Sequence, residues 1–589
     1  MNPKSNNRKP TLKISLLRQI ARIELKLGKK KIRSKLKNDY ELWCSLYPEQ
    51  IGEACNMPIN RDNSIQFSIA IIIDGASIDK CYASTQSLLR QSHANWQLIL
   101  VHRESEQTSL YDTFIEQLKN KANIISIKAT DTSSDADLKN LALEYSSGAW
   151  ITFIKAGDTL STYALSQIER AAQTSNVRLI YTDEDSIEGG QPTRPHFKPD
   201  WNRSYFYSTN YIGKSCYYHI EHCRKIDGFN PTLLDAHEFD FRLRFLENLE
   251  SEHILHLPLI LLHNAHFSLK VSQNFSNALN NHFRRTNNAS ASTYEDGAIK
   301  LNPNLPTTLP MVTLIIPTKN GYNLLKQCLD SIFCKTSYPN YDIIIVDNGS
   351  DESETLEYLD QIQRNRAVTV IRDPRPFNFS QLNNTAVHLT SSDLVGLINN
   401  DIEVIEPNWL SEMVALAMRP DAGAIGAKLL YSNNRVQHAG IVLGIGGIAG
   451  HPNKNIQRED GGYFNTAATL LECSAVTAAC LIIRRSTYLE VSGLNEDQLK
   501  VAYNDVDFCL KIRERGYTNL FTPHALLYHH ESATRGLEIT PEKRTRLKQE
   551  ASYMKATWGK LLENDPNYNP NLTLRYEDYS LSWPPRQRG

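Results

Sequence analysis

The sequence predicts an α/β chain: two tandem domains, each on a mostly parallel sheet, behind a basic helical N-terminal segment. Three observations predict it. Apolar runs recur at a near-constant offset: Ser68 and Val312, Gln97 and Asp342, and Trp150 and Leu394 begin matching runs 244, 245 and 244 residues apart. Self-similarity at a fixed offset marks a duplicated architecture. Short β-branched runs also alternate with amphipathic stretches such as Asn323–Phe333 and Trp409–Met418, the pattern of βα units. Finally, Ile343–Val346 and Leu394–Ile398 are continuously apolar, as parallel strands buried on both faces are.

A chain of 589 residues accommodates two or three domains. Residues 1–62 are expected as a basic helical segment. Residues 1–38 carry thirteen Lys or Arg and one acid, Glu24. Ile14, Leu17, Ile20, Ile23, Leu25 and Leu27 give this stretch a loose apolar face. Such a helix can lie on an anionic membrane surface, or pack on the first domain with a solvated basic face. Residues 63–300 form the first repeat. Residues 301–310 hold three prolines and no periodicity, so they read as a semi-stiff linker. Residues 311–565 form the second repeat, and 566–589 a tail rich in aromatics that packs back or engages a partner.

Formal net charge is −1, which gives no global preference for nucleic acid. The ten cysteines include no Cys-x-x-Cys pair and no His/Cys cluster with zinc spacing. They read as buried thiols in a reducing compartment. With no signal-peptide pattern and no 18-residue apolar span, the expected location is the cytoplasm, with a peripheral position on the inner face of the cytoplasmic membrane open.

Ligands of open α/β sheets bind beyond the carboxyl ends of the strands, so the residues after each apolar run carry the chemistry. In the second repeat these are Pro317-Thr318-Lys319-Asn320-Gly321, Asp347-Asn348-Gly349-Ser350-Asp351 and Asn399-Asn400-Asp401. A strand-end Asp accepts hydrogen bonds from a base or ribose. Asn399 and Asp401 can offer two oxygens to one hard cation, and magnesium and manganese take oxygen ligands shared with phosphates. Each motif alone is also an ordinary turn or helix cap. Asn504-Asp505-Val506-Asp507 opens a helix with Asn504 as a candidate cap. Its acids either complement the dipole or supply a base. An apolar run then leads to His529-His530-Glu531-Ser532. In the first repeat the third strand ends in Lys155-Ala156-Gly157-Asp158.

Taken in order, these motifs, with Phe377-Asn378-Phe379-Ser380, Asn383-Asn384 and His438-Ala439-Gly440, make residues 312–536 closely resemble the family 2 inverting glycosyltransferases of GT-A fold. The likeness is strongest to those of O-antigen and other surface-polysaccharide pathways. The resemblance implies a nucleotide-sugar donor contacted by Pro317, Thr318, Asn320, Asp347 and Asn348. It implies Mg2+ or Mn2+ held by Asn399 and Asp401 with His529 or His530, and Asp505 as catalytic base, Asp507 being its competitor. The acceptor it implies is a lipid-linked or other oligosaccharide.

Residues 68–268 resemble the same family, carrying Tyr181-Thr182-Asp183-Glu184-Asp185 and Phe197-Lys198-Pro199-Asp200-Trp201, but depart at the chemistry. His102 stands at the nucleotide Asp, Asp74 at a usual proline, Lys155 and Gly157 at the metal motif, and Glu238 at the base. Lysine disfavours a divalent ion by repulsion, or itself neutralises a diphosphate. The first-module candidates are therefore Asp158, Glu238 and Lys155, in a domain expected to be non-catalytic. Two further readings stay open: both modules active, or a non-catalytic carbohydrate-binding scaffold.

Overall fold

The computed structural model describes residues 39–54, 65–73, 75–106, 109–118, 123–173, 176–265, 273–286, 290–293, 299–530 and 540–587. The proposed membrane-surface stretch 1–38, Asp74, Glu531 and Ser532 lie outside them. Among the described residues, no helix is long and apolar enough to cross a membrane.

Among the described residues, twenty-three strands form two large sheets and two hairpins. The first sheet uses β1 (Phe67–Ile72), β2 (Trp96–Arg103), β3 (Asn123–Ala129), β4 (Trp150–Lys155), β5 (Thr159–Leu160), β6 (Leu179–Glu188), β7 (Gln191–His196), β8 (Cys216–His219) and β9 (Ile254–Asn264). A hairpin of β10 (Ser290–Thr293) and β11 (Ile299–Asn302) follows. The expected linker therefore begins inside a strand, because Leu301 is buried against the core.

The second sheet uses β12 (Val312–Thr318), β13 (Tyr341–Asp347), β14 (Val368–Arg372), β15 (Leu394–Ile398), β16 (Ile402–Val404), β17 (Ala422–Leu430) and β18 (Val436–His438). A small hairpin, β19 (Val442–Leu443) with β20 (Ala449–Gly450), precedes its last three strands, β21 (Leu471–Cys473), β22 (Cys480–Arg484) and β23 (Thr518–His529).

Strand order shows the repetition. The first sheet runs β3-β2-β1-β4-β8-β6-β9-β5 and the second β14-β13-β12-β15-β22-β17-β23-β16. Position by position, β12–β18 repeat β1–β7, while β22 and β23 repeat β8 and β9. Parallel pairing recurs too: β1 with β2 and β4, and β12 with β13 and β15, are parallel, while β8 and β22 run antiparallel beside them. β1, β15 and β17 are buried along their whole length, as strands covered on both faces must be. Gly426 marks a close approach: a Cβ there would meet Val476 Cβ at 2.5 Å.

The tail ties the two sheet regions together. Asn569 Nδ2 donates to Asp183 Oδ2 and to the Lys198 carbonyl, both at 2.8 Å. Asp565 accepts from Ser474 Oγ and the Leu443 N–H at 2.7 Å each. Tyr40, Trp43, Phe197, Val442, Tyr568 and Leu572 share one apolar cluster. Trp43, on the helix Tyr40–Leu46, donates its indole N–H to the Ser582 carbonyl at 2.9 Å.

Candidate active site

Hydrogen bonding links the strand ends of the second sheet into one patch. Thr318 and Asp347 face each other in register at the ends of β12 and β13. Asn400 Nδ2 donates to Thr318 Oγ1 at 3.0 Å. The Asn399 N–H donates to the Ala479 carbonyl at 2.9 Å. The preceding residue, Ala478, donates its N–H to Asp505 Oδ2 at 3.3 Å. Two adjacent residues thus hold the Asn-Asn-Asp turn and the Asp505 carboxyl side by side. His529, at the end of β23, brings Nε2 to 3.2 Å from Asp401 Oδ1 and 3.1 Å from Asn399 Nδ2.

The expected nucleotide residues divide by role. Asp347 is buried; its Oδ1 accepts from the Ser350 N–H at 2.9 Å and its Oδ2 lies 3.2 Å from Arg372 Nη1. Asn348 spends its amide on the carbonyls of Asp373 (2.9 Å) and Arg375 (2.7 Å). Asn320, in the left-handed region at φ 54°, accepts from the N–H groups of Asp351 and Glu352. These two fasten the loops around Asp347. Pro317 is half-buried within β12.

The residues around Asp401 fit a divalent ion. Gln437 Oε1 accepts from His529 Nδ1 at 2.8 Å, and Gln437 Nε2 faces the His529 carbonyl at 3.5 Å. That fixes the proton on Nδ1 and leaves the Nε2 lone pair aimed at the Asp401 carboxylate. Nε2 meets the Asn399 amide at 3.1 Å and the Asp401 carboxylate at 3.2 Å, and a His whose other nitrogen is anchored by an oxygen is the usual metal-ligand arrangement. His438 and His451, 2.9 Å apart through their Nδ1 atoms, stand close by. Burial drives the His451 imidazole down to about 4, so it stays neutral. His530 departs from expectation. Its backbone N–H donates to the Asp401 carbonyl, but its ring turns to Ser432 Oγ (2.8 Å) and Glu403 Oε2 (3.2 Å), because successive strand residues face opposite sides.

Asp505 and Asp507 separate clearly. Asp505 is the second residue of the helix Asn504–Glu514 and is held by backbone donors, Ala478 and Val506. Burial raises its pKa above the usual carboxylate value, those hydrogen bonds only partly opposing it. Asp507 is fully buried and accepts from Trp558 Nε1 at 2.9 Å, with Lys511 3.4 Å away; it fastens the long helix Pro541–Glu563. Asn504 is not the cap. Tyr503 holds that place at φ 58°, and Asn504 donates to Ser380 Oγ and the Val501 carbonyl.

The first sheet region differs at each matching place. Glu238, second in the helix His237–Leu246, contacts Lys139 Nζ at 2.5 Å and Arg242 Nη2 at 3.4 Å. Burial opposes its ionisation, but those cations hold its pKa well below the ordinary range, the reverse of Asp505. Asp158 is buried under the N–H groups of Ala265 (2.9 Å) and Lys155 (3.2 Å). Among the described residues, Asp135, His237 and Glu238 are the His/acid group close enough to share a metal ion, yet the Lys139 ammonium contacts all three.

Sequence reasoning missed Gln437, Ala478, Ala479, Lys139, Lys214 and Arg242. Gln437 immediately precedes the His-Ala-Gly motif, which is a usable signal. The two alanines act through backbone groups and leave none.

Residues 313–488 match the family model for Glycosyl transferase family 2. The chain is 40% identical over 522 residues to an uncharacterized protein, y4gI, of Sinorhizobium fredii, across 85% of this chain and 56% of that protein. It is 31% identical over 564 residues to the O-antigen biosynthesis protein RfbC of Myxococcus xanthus, across 92% of this chain and 43% of that one. The chain thus spans about half the length of these curated relatives. Among solved structures it aligns with a mannosyltransferase of Pyrobaculum calidifontis in complex with GDP-Man and Mn2+, at 18% identity and TM-score 0.33, over 46% of this chain and 69% of that one.

Proposed function

Since residues 313–488 make this chain a family 2 glycosyltransferase, we propose that it transfers a sugar from a nucleotide-sugar donor to an oligosaccharide acceptor of surface-polysaccharide or O-antigen synthesis, with its active site in residues 311–565. Similarity to an O-antigen biosynthesis protein supports the pathway. The acceptor proposed is lipid-linked, met at the inner face of the cytoplasmic membrane. The observation that carries the catalytic assignment is the Ala478-Ala479 segment, which binds Asp505 and Asn399 at once.

In this reading Asp505 takes the proton of the acceptor hydroxyl as that oxygen attacks the anomeric carbon, and the nucleoside diphosphate departs from the opposite face, inverting the configuration. A raised pKa suits it to proton abstraction near neutral pH. Asp347, braced by Arg372 and Ser350, offers its carboxylate edge to the nucleoside. Asp401, Asn399 and His529 would hold Mg2+ or Mn2+, which when bound offsets charge growing on the leaving diphosphate. Glu238, held ionised by two cations, is a poor base, which favours a non-catalytic first module over the reading with both active.

The test is transfer and donor binding with UDP-, dTDP- and GDP-sugars, with and without Mn2+. Asp505→Asn should bind donor as wild type does while transfer falls about 10²–10⁴-fold. Asp401→Ala should lose metal-dependent donor binding. Full transfer by Asp505→Asn, or transfer abolished only by Glu238→Gln, overturns the assignment.

A further inference from the structure

Four neutral residues around the second region's site are matched by four cations in the first. Lys155 is sixth from the start of β4, as Asn399 is from the start of β15. Lys139 follows its helix cap Ser134 by five residues, as Asn383 follows Asn378. Their next neighbours, Asn140 and Asn384, clamp the backbone of Phe229 and Leu494 in the same way. Arg242 and Cys509 are each sixth in their helices, and the Asp240–Arg244 pair of one recurs as Asp507–Lys511 in the other. Tyr218 and Ile483 face the second residues of β4 and β15, which sets Lys214 level with Ala479.

All four cations line one pocket, together with Glu238 and Tyr218, and its enclosed space is only about 20 Å³, so a ligand would sit at its mouth. The inner pair is committed: Lys139 is 2% exposed among Asp135, His237 and Glu238, and Arg242 is 7% exposed against Glu238 and the Tyr218 hydroxyl. The outer pair faces solvent. Lys155 is exposed, and Lys214 is 27% exposed, 3.5 Å from buried Asp158. The acids that could gather a metal ion gather an ammonium instead, and a divalent ion beside that charge would be repelled. Lysines act as point charges for phosphate oxygens and need no metal.

We propose that this cavity binds a diphosphate group without a metal ion, its oxygens meeting Lys155 and Lys214 at the mouth above the floor set by Lys139 and Arg242. The cavity is a binding site, since Glu238 has no free proton-accepting role. The diphosphate belongs either to a nucleotide or to a lipid-linked sugar, and the inference stands apart from the transferase assignment because its readout is binding alone.

The experiment is calorimetric titration of the full chain in EDTA with inorganic pyrophosphate, with UDP, GDP and dTDP, and with farnesyl diphosphate. Pyrophosphate should bind, and the double variant Lys155→Ala/Lys214→Ala should weaken it at least about tenfold. Both lysines are solvent-facing, so the fold should persist, which a thermal melt checks. Asp401→Ala should leave this binding unchanged. Tighter binding of a nucleoside diphosphate than of pyrophosphate identifies the donor as the source, and tighter binding of farnesyl diphosphate identifies a lipid-linked ligand. No binding at millimolar pyrophosphate, binding untouched by the double variant, or binding that needs Mn2+ and vanishes in Asp401→Ala would each overturn the proposal.

Discussion

Gln437→Met isolates the proposed metal site without touching a ligand. Gln437 is buried, and its Oε1 accepts from His529 Nδ1 at 2.8 Å. Methionine keeps the length of the side chain but removes the acceptor. His529 then keeps a buried N–H without a partner, costing about 1–3 kcal/mol of stability. The ring also loses what fixes its tautomer and direction. Losing such an outer partner typically lowers metal affinity about 10–100-fold, or about 1.4–2.7 kcal/mol. The assay is Mn2+ titration followed by electron paramagnetic resonance, with nucleoside diphosphate at saturation. Gln437→Glu, which retains an acceptor and makes the imidazole more basic, should bind Mn2+ at least as tightly as wild type. If Gln437→Met bound Mn2+ with wild-type affinity while its circular dichroism stayed native, His529 would not be a metal ligand and the lone-pair argument would fail.

Other outcomes follow from the same contacts. Because burial raises the Asp505 pKa and a base must be ionised, kcat/KM should rise with pH through that raised value and level off above it; a flat acid limb in the pH profile counts against Asp505. Asn569→Ala strips hydrogen bonds from the fully buried Asp183 carboxylate and the Lys198 carbonyl, so chemical denaturation should show a loss of about 2–3 kcal/mol. Lys139→Met leaves Glu238 and Asp135 facing each other without their shared cation. It should destabilise by about 3 kcal/mol, the low end for breaking a buried pair because Arg242 still serves Glu238, as read by a shift in the denaturation midpoint.

The repeat was legible because a parallel sheet buried on both faces demands long apolar runs, and these survive at matched offsets whatever the chemistry between them. The same logic made the strand ends findable: Thr318, Asp347, Asn399 and Asp401 sit where strands stop, and strand stops are visible in sequence. The family resemblance favoured Asp505 over Asp507, but residue type and local position alone did not separate them. Both open one helix, and only the distant Trp558 indole marks Asp507 as structural. His529 and His530 were likewise equivalent until strand pleating aimed one ring at Asp401 and the other at Glu403. The tail's role was open for the same reason, since Asn569 meets Asp183 across a separation of 386 residues. Sequence alone determined the α/β class, the duplication and the order of the chemical motifs, because local periodicity and residue type encode them. Only tertiary structure decided which carboxylates are paired with cations and which are left half-buried beside backbone donors, because pKa and ligand geometry depend on neighbours that the chain brings together only by folding.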